Sequence, residues 1–436
     1  MKKVFATLSI LACSSGIAMA NPADGIAFAP REVGIDAFNQ DPQIQESKTQ
    51  ESQIENQTET AAHIPQSENL EHAVASARFK KKSQQKIDPT PSMQIDETAL
   101  MRGFPVTTED SGGTLILSDS PEYASKNGIL YSDVVQGDAR ILFYHLNNSY
   151  GNKKIAIVLE NTSNQLNTIT ITRGGHANPS AEYLKVGKEM QTKYFNQKLN
   201  DTIYMLGGSI KLLRPELDDV TIKPGELLHG VYDFNATRDV KVTILFYPAT
   251  AEPLLFYKRA PILKADKHHL RGTFHGMNRT IKTQKAYDPE KDGTVYIQLG
   301  DDVNDKYKRG IDALDGSEVV NYGNYGIFYT LDIPTKKETQ FYLSPLGGVY
   351  AGAMTIKTAK NDQSKLILTP GEREYFGDRT IGDPEHVARA RERGIAFLTQ
   401  QTELSDLGRY NGNLFFEYSP PGASNLPVNI ILRPTE

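Results

Sequence analysis

"RILFYHLNNSYGNKKIAIVLE", Arg140 to Glu160, sets two runs of β-branched, aromatic and apolar residues on either side of a stretch rich in Asn, Gly and Tyr. Runs of that length and composition favour extended backbone, and the punctuation between them suits an antiparallel hairpin. The same texture recurs at Thr114 to Asp119, at "NTITIT" (Asn167 to Thr172) and at Asp239 to Tyr247. It continues at Gly293 to Leu299, Tyr325 to Ile333, Thr339 to Leu343, Lys365 to Thr369, Asn413 to Tyr418 and Pro427 to Arg433. Short strands at regular spacing, without amphipathic helices between them, argue for sandwiches and against βαβ units. The expected fold is mainly β: two tandem β-sandwich-like domains, residues 101–260 and 261–436, after a disordered N-terminal tether, residues 21–100.

The tether follows from composition. Residues 21–100 hold ten glutamines, more acids than bases, and only Phe28, Phe38 and Phe79 as aromatics. Such a segment buries too little apolar surface to offset an ordering entropy of about 1–2 kcal/mol per residue. Within it, Glu71 to Lys86 could form a short basic helix, but reads first as a solvated charge run in a flexible arm. Ahead of the tether, Lys2 and Lys3, the apolar run Val4 to Ala12, and Ala18-Met19-Ala20 have the form of a secretory signal peptide, residues 1–20. The expected location is therefore periplasmic, cell-surface or secreted. Ile10-Leu11-Ala12-Cys13 offers an alternative, a lipoprotein anchored through Cys13. Cys13 is the one cysteine, so a mature chain beginning at Asn21 has no disulfide or thiol chemistry.

A formal charge of −5 with scattered Lys and Arg gives no electrostatic footprint for nucleic acid. No run reaches the roughly 18 apolar residues of a spanning helix. The two strand-rich halves share landmarks in the same order: "GGTLIL" at 112 and "DGTVYI" at 292, "ILFYHL" at 141 and "GIFYTL" at 326, "LGG" at 206 and 346, "TIKPGE" at 221 and "LILTPGE" at 366, "ILFYP" at 244 and "IILRP" at 430. An internal repeat is one explanation, the general likeness of strands and Pro-Gly turns the other. Gly382 to Gln400, with Asp383 as a cap and Pro384 next, reads as a helical surface excursion.

Catalytic residues are unassigned, because no nucleophile elbow, phosphate loop or metalloprotease motif occurs. His176 in "TRGGHANPS" reads as part of a sharp turn that needs Gly174 and Gly175. His268, His269 and His275 form the densest histidine group, a weak zinc or copper candidate against the simpler expectation of no metal and no cofactor. Asp301, Asp302, Asp305, Asp312 and Asp315 lack the EF-hand pattern and read as a solvated loop neutralised by Lys306, Lys308 and Arg309. The surface best suited to a ligand is Tyr322, Asn324, Tyr325, Tyr350, Tyr410 and Asn411, rings that stack and amides that hydrogen-bond. The expectation is an exported, non-catalytic envelope or extracellular module that binds a glycan, cell-wall polymer or surface protein. Its alternatives are a self-associating structural envelope protein and a secreted hydrolase using paired carboxylates.

Overall fold

The computed structural model describes residues 101–346, 348–358, 363–376 and 404–435. The expectations for residues 1–100, Cys13 included, and for Gly382 to Gln400 lie outside them. The described chain is mainly β, arranged in sheets of five, eleven and six strands. No helix among the described residues is long and apolar enough to cross a membrane.

The first half opens with β1 (Arg102–Gly103), β2 (Val106–Ser111), β3 (Thr114–Ser118), β4 (Tyr123–Ala124), β5 (Gly128–Asn147) and β6 (Lys153–Glu160). It continues with β7 (Asn167–His176), helix α1 (Tyr183–Asn196), β8 (Lys198–Met205), β9 (Ile210–Leu212) and β10 (Leu227–Pro248). The expected hairpin does not form, because β10 lies between β5 and β6 and pairs antiparallel with both. β5 ends beside Leu227 and β6 begins beside Pro248, at opposite ends of β10, so the connection passes between two stacked layers about 10 Å apart. The connection does so with Asn147 as its anchor, its Nδ2 donating to Gly151 O and Ile222 O at 2.9 Å each.

β5, at 20 residues, and β10, at 22, are more than three times the usual strand length because each serves two layers. Their ladder shifts register between Ala236 and Val240, opposite Gly137, whose φ of +74° suits only glycine. One half of each strand forms a layer β9–β6–β10–β5, and the other half forms β8–β7–β10–β5–β3. Ile141, Phe143, Ile157, Ile169, Ile171, Tyr232, Phe234 and Ile244 fill the space between the layers. Alternation sends Leu142, Tyr144, Leu115 and Leu117 to the opposite face, into a second core shared with the other half.

That half contains β11 (Arg271–His275), β12 (Asn278–Thr283), β13 (Val295–Leu299), β14 (Lys308–Ile311), β15 (Glu318–Asn321) and β16 (Phe328–Pro334). β17 (Thr339–Pro345), β18 (Gly352–Lys357), β19 (Lys365–Thr369), β20 (Ser405–Tyr410), β21 (Asn413–Tyr418) and β22 (Val428–Pro434) complete it. Its layers run β20–β17–β22–β13 and β19–β18–β21–β16–β12, the order of the first half strand for strand and in the same directions. Where β5 and β10 bend, this half breaks: residues 300–327 separate β13 from β16, and residues 419–427 separate β21 from β22. Two of the five sequence landmarks, those at 141/326 and 244/430, fall on equivalent strands. The other three do not; "GGTLIL" is on β3, whose counterpart is β12, while "DGTVYI" leads into β13.

The boundary expected near residue 260 is crossed reciprocally. β2 pairs with β12 of the second half, and β11 pairs with β3 of the first. β1 adds to β13 in parallel, and Ile262 bridges Ile129 in parallel. Buried arginines fix the exchange. Arg271 on β11 donates to Asp312 at 2.7 Å and to Leu130 O and Leu263 O. Arg279 on β12 grips Asp110 on β2 and Asp305. Arg140 on β5 forks onto Asp233 and donates to Met277 O and Gly326 O.

Candidate functional site

The tyrosines and asparagines singled out above occupy three separate places, and half of them are interior. Asn324, at φ +55°, is fully buried; its Oδ1 accepts from Lys308 N at 2.8 Å and its Nδ2 donates to Tyr329 Oη at 2.9 Å. Tyr325 is buried and donates to Ser424 O at 2.7 Å. Tyr350 is in the core, edge-on to Phe376. Tyr322 is half-buried against Tyr307, Tyr410 is half-buried against Phe341, and Asn411 alone is exposed. Their loops are tight because these side chains stitch them shut.

The histidines do not converge. His275 is the last residue of β11 and His269 precedes its first, so a strand whose five residues span about 14 Å separates them. His269 Nε2 lies 2.8 Å from Asp312 Oδ2 and 3.7 Å from Asp315 Oδ2, a cluster with the atoms for a cation. Arg271 already holds Asp312 Oδ2 at 2.7 Å, so a guanidinium supplies the positive charge. The acid-rich loop is likewise consumed internally and not solvated. Asp305, buried, accepts from Arg279, Gly300 N and Tyr329 Oη, and Asp301 caps the backbone of Val303, Asn304 and Asp305. The neutralising cations are Arg271 and Arg279, brought from β11 and β12, which no local pattern in the loop announces.

"TRGGH" is a strand with a bulge, not a turn. β7 runs through His176, and its register against β10 shifts between Ile171 and Arg173. Gly174 is required because β10 passes so close: a Cβ there would sit 2.3 Å from Val231 O. His176 Nδ1 lies 2.8 Å from Tyr232 Oη, and burial pushes its pKa down.

A cleft between the halves gathers Asp119, Glu122, Tyr144, His229 and Tyr325 beside Gly422 and Ala423. Its free volume of about 30 Å³ is room for one water molecule. His229 Nδ1 lies 2.8 Å from Phe143 O, so Nδ1 carries the proton and Nε2 is the acceptor. Burial holds this ring's pKa down to about 4. A space of that size suits a water molecule.

The outer face of the β8–β7–β10–β5 layer is of another kind. "NTITIT" alternates so that Ile169 and Ile171 enter the core while Thr168, Thr170 and Thr172 face out. Register places Tyr204 beside Thr168, Thr202 beside Thr170, Asn235 on the other side of Thr170, and Asp138 beside Asn235. Thr202, Thr170, Asn235 and Asp138 thus form a row across four strands about 4.8 Å apart. The hydroxyls of Thr168, Thr170 and Thr202 make no hydrogen bond among the described residues, and Tyr204 is 62% exposed. At the bulge end stands Arg173, its guanidinium 5.0 Å from the Phe328 ring and 5.1 Å from the Tyr194 ring, with Phe195 against Phe328. At the other end Leu166 and Leu206 are exposed, and among the described residues β8 pairs with β7 alone.

The signal for this face was the alternation in Asn167 to Thr172; the partners from β8, β10 and β5 become visible only through register. Comparison with known protein families and with curated proteins finds no match to this chain.

Proposed function

We propose that this chain is an exported, non-catalytic envelope or extracellular module that binds a glycan or cell-wall polymer on the outer face of the β8–β7–β10–β5 layer. The observation that carries the reading is the row of unengaged hydroxyls, Thr168, Thr170 and Thr202, beside the exposed ring of Tyr204. A polyhydroxylated chain hydrogen-bonds to such a row, and its pyranose faces stack on the ring. The rigid two-layer sheet beneath holds the spacing, so little ordering entropy is spent on binding. The signal-like residues 1–20 support export.

Co-sedimentation of the mature chain with insoluble cell-wall polysaccharide tests this. Tyr204→Ala combined with Thr168→Ala and Thr202→Ala should weaken retention at least about tenfold, or 1.4 kcal/mol, with unchanged melting. Retention equal to wild type would remove this face from the reading.

A second reading rests on the free edge of β8. Its backbone is unpaired on one side, and Leu166 and Leu206 are 52% and 72% exposed beside it. Such an edge accepts a strand from a surface protein or a second copy. Light-scattering mass above the monomer, abolished by Thr202→Pro, would favour it.

A further inference from the structure

Arg173 is positively charged and held against two aromatic rings, and its guanidinium makes no ion pair among the described residues, although its charge helps hold the Glu417 carboxyl below the usual range. It stands directly opposite Asp233 in the β7–β10 register, where an ion pair is expected. Asp233 is already saturated: Arg140 forks onto both its oxygens at 2.7 and 2.9 Å, and Tyr194 Oη donates to Oδ2 at 2.8 Å. The next carboxylate, Glu417, accepts from Thr355 Oγ1 at 2.6 Å and Lys357 Nζ at 2.9 Å. No carboxylate lies within 4 Å of the Arg173 guanidinium among the described residues. Around the Tyr194 and Phe328 rings there are three cations, Arg140, Arg173 and Lys357, and two anions, Asp233 and Glu417.

The rings also prepare the group for a planar partner. The Tyr194 and Phe328 rings, 5.1 and 5.0 Å from the guanidinium carbon, hold the group by cation–π attraction, and its N–H donors make no hydrogen bond among the described residues. A carboxylate matches that fork with two parallel hydrogen bonds. Phe195, half-buried and tilted 51° to Phe328 with ring centroids 6.0 Å apart, adds an apolar wall on which a sugar ring rests. Arg173 follows Thr172 at the end of the threonine row, so a polymer lying on that row reaches it.

We infer that Arg173, with Phe195 and Phe328, is a subsite for the carboxylate of an acidic sugar, so that the polymer bound is a polyuronate-type glycan and not a neutral one. This rests on the proposed threonine-face reading and narrows its ligand. The measurement compares polygalacturonate with its methyl ester, the same backbone with and without charge, binding to the full mature chain at low and moderate salt. Wild type should bind the acid form at least tenfold more tightly than the ester. Arg173→Gln should abolish that preference, and Arg173→Lys should restore only part of it, because an ammonium lacks the fork. Equal binding of acid and ester by wild type, or an unchanged preference in Arg173→Gln, overturns the subsite while leaving the threonine face standing. Binding of neither polymer, by a chain that melts normally, overturns both.

Discussion

At the residue scale, two buried histidines set how the molecule responds to acid. His145 lies between Ser118 Oγ and Pro121 O, each 2.9 Å from a ring nitrogen, and burial pushes its pKa down to about 4, as for His229. In the unfolded chain both rings take up a proton near pH 6.5. Between pH 6.5 and 4 the unfolded state therefore binds more protons than the folded one, and the linkage slope makes stability rise with pH. The contribution is complete above pH 6.5 and lost as pH falls toward 4, on the order of 3 kcal/mol per ring. Urea unfolding midpoints should drop clearly from pH 7 to pH 5, and His229→Gln should flatten the dependence. Midpoints constant down to pH 4.5 would mean the rings are charged in the fold.

Buried arginine is the other single-residue determinant. Arg140 is 3% exposed and contacts Asp233, Asn278 and two backbone carbonyls. Replacing it by Leu strands Asp233 as an uncompensated half-buried charge. Chemical denaturation should show a loss of about 3–5 kcal/mol. Asp233→Asn added to Arg140→Leu should recover part of it. A single-variant loss under 1 kcal/mol would show that water replaces the guanidinium.

At the scale of elements, α1 is the piece that sequence reasoning passed over. Val186, Met190 and Tyr194 are buried at helical spacing, which is legible in hindsight. Gly187 breaks the propensity in the first turns, and Glu182 provides no side-chain cap, so the usual start signal is missing. The glycine belongs to packing: a Cβ at Gly187 would sit 1.9 Å from Gly422 O in the β21–β22 connection. Gly187→Ala should therefore lower stability by about 1–3 kcal/mol despite its better helix propensity, through overpacking. Lys185→Ala, on the exposed side, should be neutral. Differential scanning calorimetry separates the two; equal melting temperatures would mean that α1 shifts freely.

Strands were legible because each local run carries its own propensity and alternation. Their partners were not. "NNSYGNK" looks like a hairpin loop, and only the ladder of β10 against both β5 and β6 shows that the chain skips a position. The tyrosine-rich loops misled for a related reason. Tyr and Asn serve equally as exposed contacts and as internal fasteners, and Asn324 and Tyr325 are fasteners because a loop this irregular must satisfy its buried backbone groups. The threonine face needed register across four strands, information that no single segment contains.

At the scale of the whole molecule, the exchange of β2 and β11 changes what counts as a folding unit. Each half has the strand order of a complete sandwich, yet each lends its first strand to the other. Leu115, Leu117, Leu142, Tyr144 and Leu146 are covered from across the boundary, in the core that also holds Ile281, Tyr329, Leu331 and Ile333. Cutting near residue 260 would expose these side chains, each worth about 1.5–3 kcal/mol when buried, and leave β3 as an open edge. For the five of the first half that comes to about 7–15 kcal/mol, comparable with the whole 5–15 kcal/mol by which domains are usually stable. Fragments 95–260 and 261–436 expressed alone should thus be insoluble or lack a cooperative transition. Mixed during refolding, they should regain a single melting transition and co-elute as a one-to-one complex. If fragment 95–260 alone shows dispersed amide resonances and cooperative melting, the exchanged strands are an accessory to two self-sufficient sandwiches, and the threonine face would be separable with the first of them.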